Sequence, residues 1–209
     1  MFRNLFSKKV KEVMPDKPLG FGYKNKWIAL KTDDRDKVVK FLNLKKVQKS
    51  NWKDGVKFGY EEGVFITPDI NGWTLALGVD ISDLESEDSQ EFLKRASTEF
   101  EECQIFQTHR IVEYHFWGKA KNGHIERLYS YVGESGENLI NEGKPTEIEN
   151  TYNLVNTFSK ESESDDYWER EDLDIPDEQI VMEIAENWSI DPTKIEEIKG
   201  LEGIGLIGK

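Results

Sequence analysis

Ile105-Phe-Gln-Thr-His-Arg-Ile-Val-Glu-Tyr-His-Phe-Trp-Gly-Lys-Ala120 runs through Lys121 into Asn122-Gly123 and returns as Ile125-Glu-Arg-Leu-Tyr-Ser-Tyr-Val132. Both arms are rich in β-branched and aromatic residues, which suit a pleated, half-buried surface. Asn-Gly between such arms predicts a two-residue type I′ turn, because both central positions need positive φ. Gly133-Glu-Ser-Gly136 offers a second turn before a short strand at Asn138–Asn141. The stretch therefore reads as an antiparallel meander of three strands.

Working outward towards the N-terminus, Ser86 to Ser89 supply caps for a helix whose buried stripe is Phe92, Leu93, Ala96 and Phe100. Before it, Trp73-Thr-Leu-Ala-Leu-Gly-Val79 is an apolar strand, entered from turn chemistry at Pro68–Gly72. Val56–Tyr60 and Gly63–Thr67 read as two short strands separated by Glu61-Glu62. Lys26–Lys31 reads as a strand, and Thr32-Asp33-Asp34 caps a helix over Arg35–Leu42 with Val38, Val39 and Leu42 inward. Phe2, Leu5, Phe6, Val10 and Val13 recur at helical spacing, so residues 1–14 read as an amphipathic helix that stops before Pro15.

Towards the C-terminus, Thr146-Glu-Ile-Glu149 has capping-box form ahead of Ile148, Tyr152, Val155 and Phe158. A helix there would seal one sheet face. Residues 159–174 form an acidic loop, Pro176 opens a helix with Ile180, Val181, Ile184, Ala185 and Trp188 along one side, and Asp191-Pro192 starts a short last helix that Gly200 stops. The whole predicts a single α+β domain over residues 1–209: an antiparallel sheet with a C-proximal β-meander, packed by several helices.

The 209 residues carry 41 Asp plus Glu against 28 Lys plus Arg, a formal charge of −13. The imbalance is local. Residues 1–60 sum to +10 and residues 61–209 to −23, and Glu161–Glu186 holds twelve carboxylates against Arg170 alone. Such a segment repels phosphate, so the composition argues against nucleic-acid binding. The lone cysteine, Cys103, excludes an internal disulfide, a four-cysteine zinc site and a CxxC pair, which fits a reducing cytoplasm. The opening residues lack the apolar core of a signal peptide, and no stretch approaches the ~18 apolar residues of a membrane span.

Catalytic and cofactor motifs are absent: no Gly-x-Ser-x-Gly elbow, HExxH or P-loop occurs. Gly203-Ile-Gly-Leu-Ile-Gly208 spells GxGxxG, but a dinucleotide site needs a helix after the last glycine to hold the pyrophosphate, and only Lys209 follows. The expectation is an apolar tail tucked on the body. No cofactor and no metal are expected. If residues 108–117 form one continuous strand, alternation puts His109, Glu113 and His115 on one face and Arg110 on the other, with Glu113 and His115 about 7 Å apart. Cys103, between Glu101 and Glu102, reads as a packing residue. Trp73, Trp117 and Trp188 fall on apolar faces and read as core; Trp52, Trp168 and Trp27 lie in more polar surroundings.

Val64–Gly78, Gln107–Trp117 and Tyr129–Glu137 together resemble a family of bacterial cytoplasmic proteins of uncharacterised function. The resemblance covers most of the chain from about Gly20 onward; it implies a cytoplasmic single domain and nothing about chemistry.

Two readings follow. The preferred one is a non-enzymatic, acidic protein-binding module of immunity or regulatory type that docks a basic protein, by analogy with the small acidic proteins that neutralise basic nuclease toxins. Its contact set is Asp165, Asp166, Tyr167, Trp168, Glu169 and Glu171, with charges steering and aromatics anchoring. The alternative is an enzyme or small-molecule binder using His109, Arg110, Glu113 and His115, with His or Glu as general base and Arg110 fixing an anion. A structural account competes with the first reading: the basic first third could fold onto the acidic last third and neutralise it.

Overall fold

In the computed structural model, which describes residues 12–209, one antiparallel sheet organises the chain. Its nine strands among the described residues are β1 (Lys26–Leu30), β2 (Gln48–Ser50), β3 (Val64–Ile66), β4 (Thr74–Leu77), β5 (Glu102–His109), β6 (Tyr114–Lys121), β7 (His124–Val132), β8 (Glu137–Gly143) and β9 (Gly205–Gly208). In space they run β2-β9-β3-β4-β1-β5-β6-β7-β8. The last four form a meander, and Asn122 and Gly123 (φ 48° and 81°) make the β6–β7 turn with the two positive φ values that a type I′ turn needs.

Strand alternation divides the apolar residues between two faces. Helices α1 (Arg35–Phe41) and α3 (Glu87–Phe100) cover one, over Ile28, Leu30, Ile66, Cys103, Ile105, Phe116 and Leu128. Helices α2 (Trp52–Glu61) and α5 (Glu178–Trp188) cover the other, over Trp27, Phe65, Phe106, Trp117 and Tyr129. Neighbours in sequence therefore serve different cores: Phe116 faces one, Trp117 the other. Each helix starts on a side-chain cap. Asp34, Asn51, Ser86 and Asp177 accept the backbone N–H three residues on, satisfying a donor the helix cannot. The single-domain α+β architecture with its antiparallel meander is as the sequence predicts.

Three elements differ. Residues 56–60 are helical, part of α2. Gly55 and Gly59 lower helix propensity and mask the periodicity, yet with Trp52 and Val56 they form its buried side and let the helix approach Phe65 and Leu77. The capping box at Thr146 forms, with Thr146 N and Oγ1 each donating to Glu149 Oε2 at 2.8 Å, but only a single 3-10 turn (Glu149–Thr151) follows. Asn153 N is claimed by Asp174 Oδ2 (2.7 Å) and Val155 N by Asp174 O (3.3 Å), which fixes extended backbone where a helix would continue. Ile148, Tyr152 and Val155 still cover the sheet; Phe158 is exposed. The glycine-rich tail is a true strand, β9, inserted between β2 and β3. The helix expected over residues 1–14 falls mostly outside the described residues, and its last residues, 12–14, are not helical. Trp27 and Trp52 are wholly buried despite their polar neighbours in sequence, whereas Trp73 is half-buried.

Candidate functional site

The turn between β5 and β6 decides what the central residues can do. The stretch Thr108–Trp117 is not one strand. It reverses at Arg110–Glu113, with Glu113 at φ 48°, and the register pairs Thr108 with His115 and His109 with Tyr114. Paired residues share a face. His115 therefore joins the face of Phe106 and Trp117, while His109 sits with Tyr114 on the opposite face. The continuous-strand expectation is overturned: His109 leaves the group, and Arg110, which alternation sent away, joins Glu113 and His115.

These three residues line a cleft of about 900 Å³. The start of α5 supplies Asp177, Glu178 and Glu183, the turn at Asp191–Lys194 closes another side, and Tyr23, Ile175, Pro176 and Met182 add apolar wall. Both cations present are already engaged. Arg110 lies over the Tyr23 ring and pairs with Glu178, which also accepts from Thr108 Oγ1 (3.1 Å). Lys194 pairs with Glu186 (2.5 Å) and Asp191 (3.4 Å). Glu178 thus holds the Arg110 guanidinium, on a side chain that stays 55% exposed.

The remaining acids form no ion pair among the described residues, although Lys194 helps to lower the pKa of Glu183. Glu183 accepts from the Tyr152 hydroxyl and from Gln179 Nε2 (2.7 Å), and these bonds hold it below the usual carboxylate range. Asp177 caps α5 through Ile180 N (2.8 Å). The Glu113 side chain makes no hydrogen bond or ion pair among the described residues, although its carboxylate packs against Gly133. Among these acids lies His115, only 3% exposed, with Nδ1 buried and without a partner. Burial lowers its pKa, outweighing the opposing pull of Glu178, Asp177 and Glu113, which favours the neutral ring.

The acidic loop has a different character. Tyr167, in the one-turn helix α4 (Asp165–Trp168), is buried, and its hydroxyl accepts from Asn156 N (2.8 Å). Tyr167 is an intramolecular anchor, which removes it from an exposed contact set. Trp168 packs edge-on against it, donates to Ser162 O (3.0 Å) and remains 47% exposed. Asp165, Asp166, Glu169 and Glu171 are exposed. Arg170 pairs with Asp172 (2.9 Å).

The most heavily bonded charged cluster was not singled out by sequence. Arg127 and Glu149, each 2% exposed, pair at 2.7 Å. Glu149 also accepts from Trp117 Nε1 (2.9 Å), and Arg127 donates to Asn141 Oδ1 (2.7 Å) and to the Glu142 carbonyl (3.0 Å). With both partners satisfied, this network closes the core under the meander and presents nothing to solvent. The capping-box pattern at Thr146 was its one visible trace. Cys103 is fully buried, and burial pushes its thiol far up, as a packing residue requires. Among the described residues no three His, Cys, Asp or Glu side chains are grouped to hold a metal ion, and no helix is long and apolar enough to cross a membrane. Comparison with protein-family models, curated proteins and solved structures found no match to this chain.

Proposed function

We propose that this protein is a non-enzymatic binding module that captures a basic protein partner in the cytoplasm, in an immunity-type or regulatory role. One observation carries the reading: Glu161, Glu163, Asp165, Asp166, Glu169 and Glu171 are exposed and make no ion pair among the described residues. The described lysines of the first sixty residues find carboxylates elsewhere or none, Lys26 at Asp83, Lys37 at Glu99 and Lys57 at neighbouring Glu61. Unpaired surface carboxylates raise the local negative potential and speed encounter with a cationic surface. Trp168, half-exposed in their midst, supplies apolar area of the kind that anchors an interface. The buried Tyr167 stiffens the platform under it.

The test is capture from the native cell by the full chain and by a variant carrying Asp165→Asn, Asp166→Asn, Glu169→Gln and Glu171→Gln together. A basic partner retained by the wild type and lost by the variant, with a salt dependence that flattens in the variant, is the expected result. Equal retention of that partner by both proteins would end the proposal.

A further inference from the structure

The cleft beside the β5–β6 turn lacks one thing that its own chemistry calls for. Glu113, Asp177 and Glu183 line it and form no ion pair among the described residues, while Arg110 and Lys194 pair with Glu178, Glu186 and Asp191. His115 is a poor source of positive charge there, since burial of the ring disfavours its protonated form. His115 lines the cleft, and its Nδ1 is one of six buried side-chain polar atoms without a hydrogen-bond partner among the described residues. Among the described residues no three carboxylates or imidazoles are grouped to hold a metal ion, and a cleft of this size has room for a cationic group with some extent. The apolar wall of Ile175 and Met182 suits a methylene stem.

We propose that this cleft binds a cationic nitrogen group, a primary ammonium or a guanidinium on an alkyl stem, with Glu113 as counter-charge and His115 as a hydrogen-bonding wall. The inference does not depend on the acidic loop. A Coulomb partner at the exposed Glu113 and hydrogen bonds from a charged N–H would each contribute more than a neutral contact. Such a group could arrive on a free amine or as a lysine or arginine side chain of another protein.

The experiment is calorimetric titration of the full chain with agmatine and, separately, with an end-blocked peptide carrying one central arginine, while the His115 ring resonances are followed by NMR. Saturable binding of either probe is expected, with movement of the His115 signals and an affinity about tenfold or more lower in Glu113→Gln. Binding of agmatine alone assigns a free amine; binding of the peptide as well assigns a protein side chain. The four-site acidic-loop variant should bind as the wild type does, so loss of partner capture and loss of amine binding remain separable. Because Glu113 lies in a turn rather than the core, Glu113→Gln tests the site even where His115→Gln fails to fold. No saturation by either probe, or the same affinity in Glu113→Gln as in the wild type, would overturn the inference.

Discussion

Glu149 and Arg127 depend on each other more than any other pair of charged residues in the described structure. Removing one leaves the other buried without its counter-charge, whereas removing both takes out the two charges together and leaves only neutral groups, such as Trp117 Nε1 and Asn141 Oδ1, to lose a partner. Glu149→Ala should therefore lower the unfolding free energy by about 3–5 kcal/mol, measured by urea denaturation. Arg127→Met combined with Glu149→Leu should cost clearly less than Glu149→Ala alone; an equal or greater loss would contradict this account of the network. His115 makes the opposite kind of contribution. Its folded pKa lies below its ordinary value of about 6.5, so above pH 6.5 both folded and unfolded chains hold it neutral. As pH falls through 6.5 towards the depressed folded value, only the unfolded chain takes up the proton, and stability declines. Denaturation midpoints compared between pH 7 and pH 5 should fall less in His115→Gln than in the wild type.

At the level of the element, α2 sets helix propensity against packing. In an isolated helix Gly55→Ala would stabilise by about 0.5–1 kcal/mol. Here a Cβ at Gly55 would stand 2.2 Å from the Phe65 ring, so overpacking reverses the sign and a net loss of about 1–2 kcal/mol is expected. A thermal melt decides between the two. Element α4 poses a related contrast. Tyr167→Phe removes the partner of Asn156 N and should destabilise by about 1 kcal/mol, while Trp168→Ala, at a half-exposed site, should cost less in stability than it costs in partner capture. The helices α3 and α5 and the meander were legible because long apolar stripes and an Asn-Gly turn agree with their tertiary setting. The α2 helix was not, because glycine's value there lies in Phe65 and Leu77, which are distant in sequence from any window containing it.

At the scale of the molecule, the C-terminal strand joins the sheet's beginning to its end. β9 lies between β2 and β3, so a chain ending at Ile204 would strand the three-residue β2 and open the edge of β3. Such a truncation should lose cooperative unfolding and aggregate at concentrations where the full chain does not, as light scattering would show; an unaltered melt would refute the structural role of β9. Among the described residues, separation of charge along the chain survives folding in part, since Lys26, Lys37 and Lys57 find partners outside the acidic loop.

The sequence by itself determined the α+β class, the antiparallel meander and its type I′ turn, the caps of α1 and α3, and the uneven charge, since each is written in local residue order and in composition; α5 starts two residues later than Pro176 suggests, on an Asp177 cap. Tertiary structure alone decided that Arg110, Glu113 and His115 meet while His109 does not. A four-residue turn changes the parity of side-chain direction, and nothing in an alternating pattern reveals where a strand reverses without glycine or proline. It also decided that Glu149 is buried and that the last strand enters the sheet, because burial and pairing depend on partners tens of residues away, whose positions only the assembled sheet fixes.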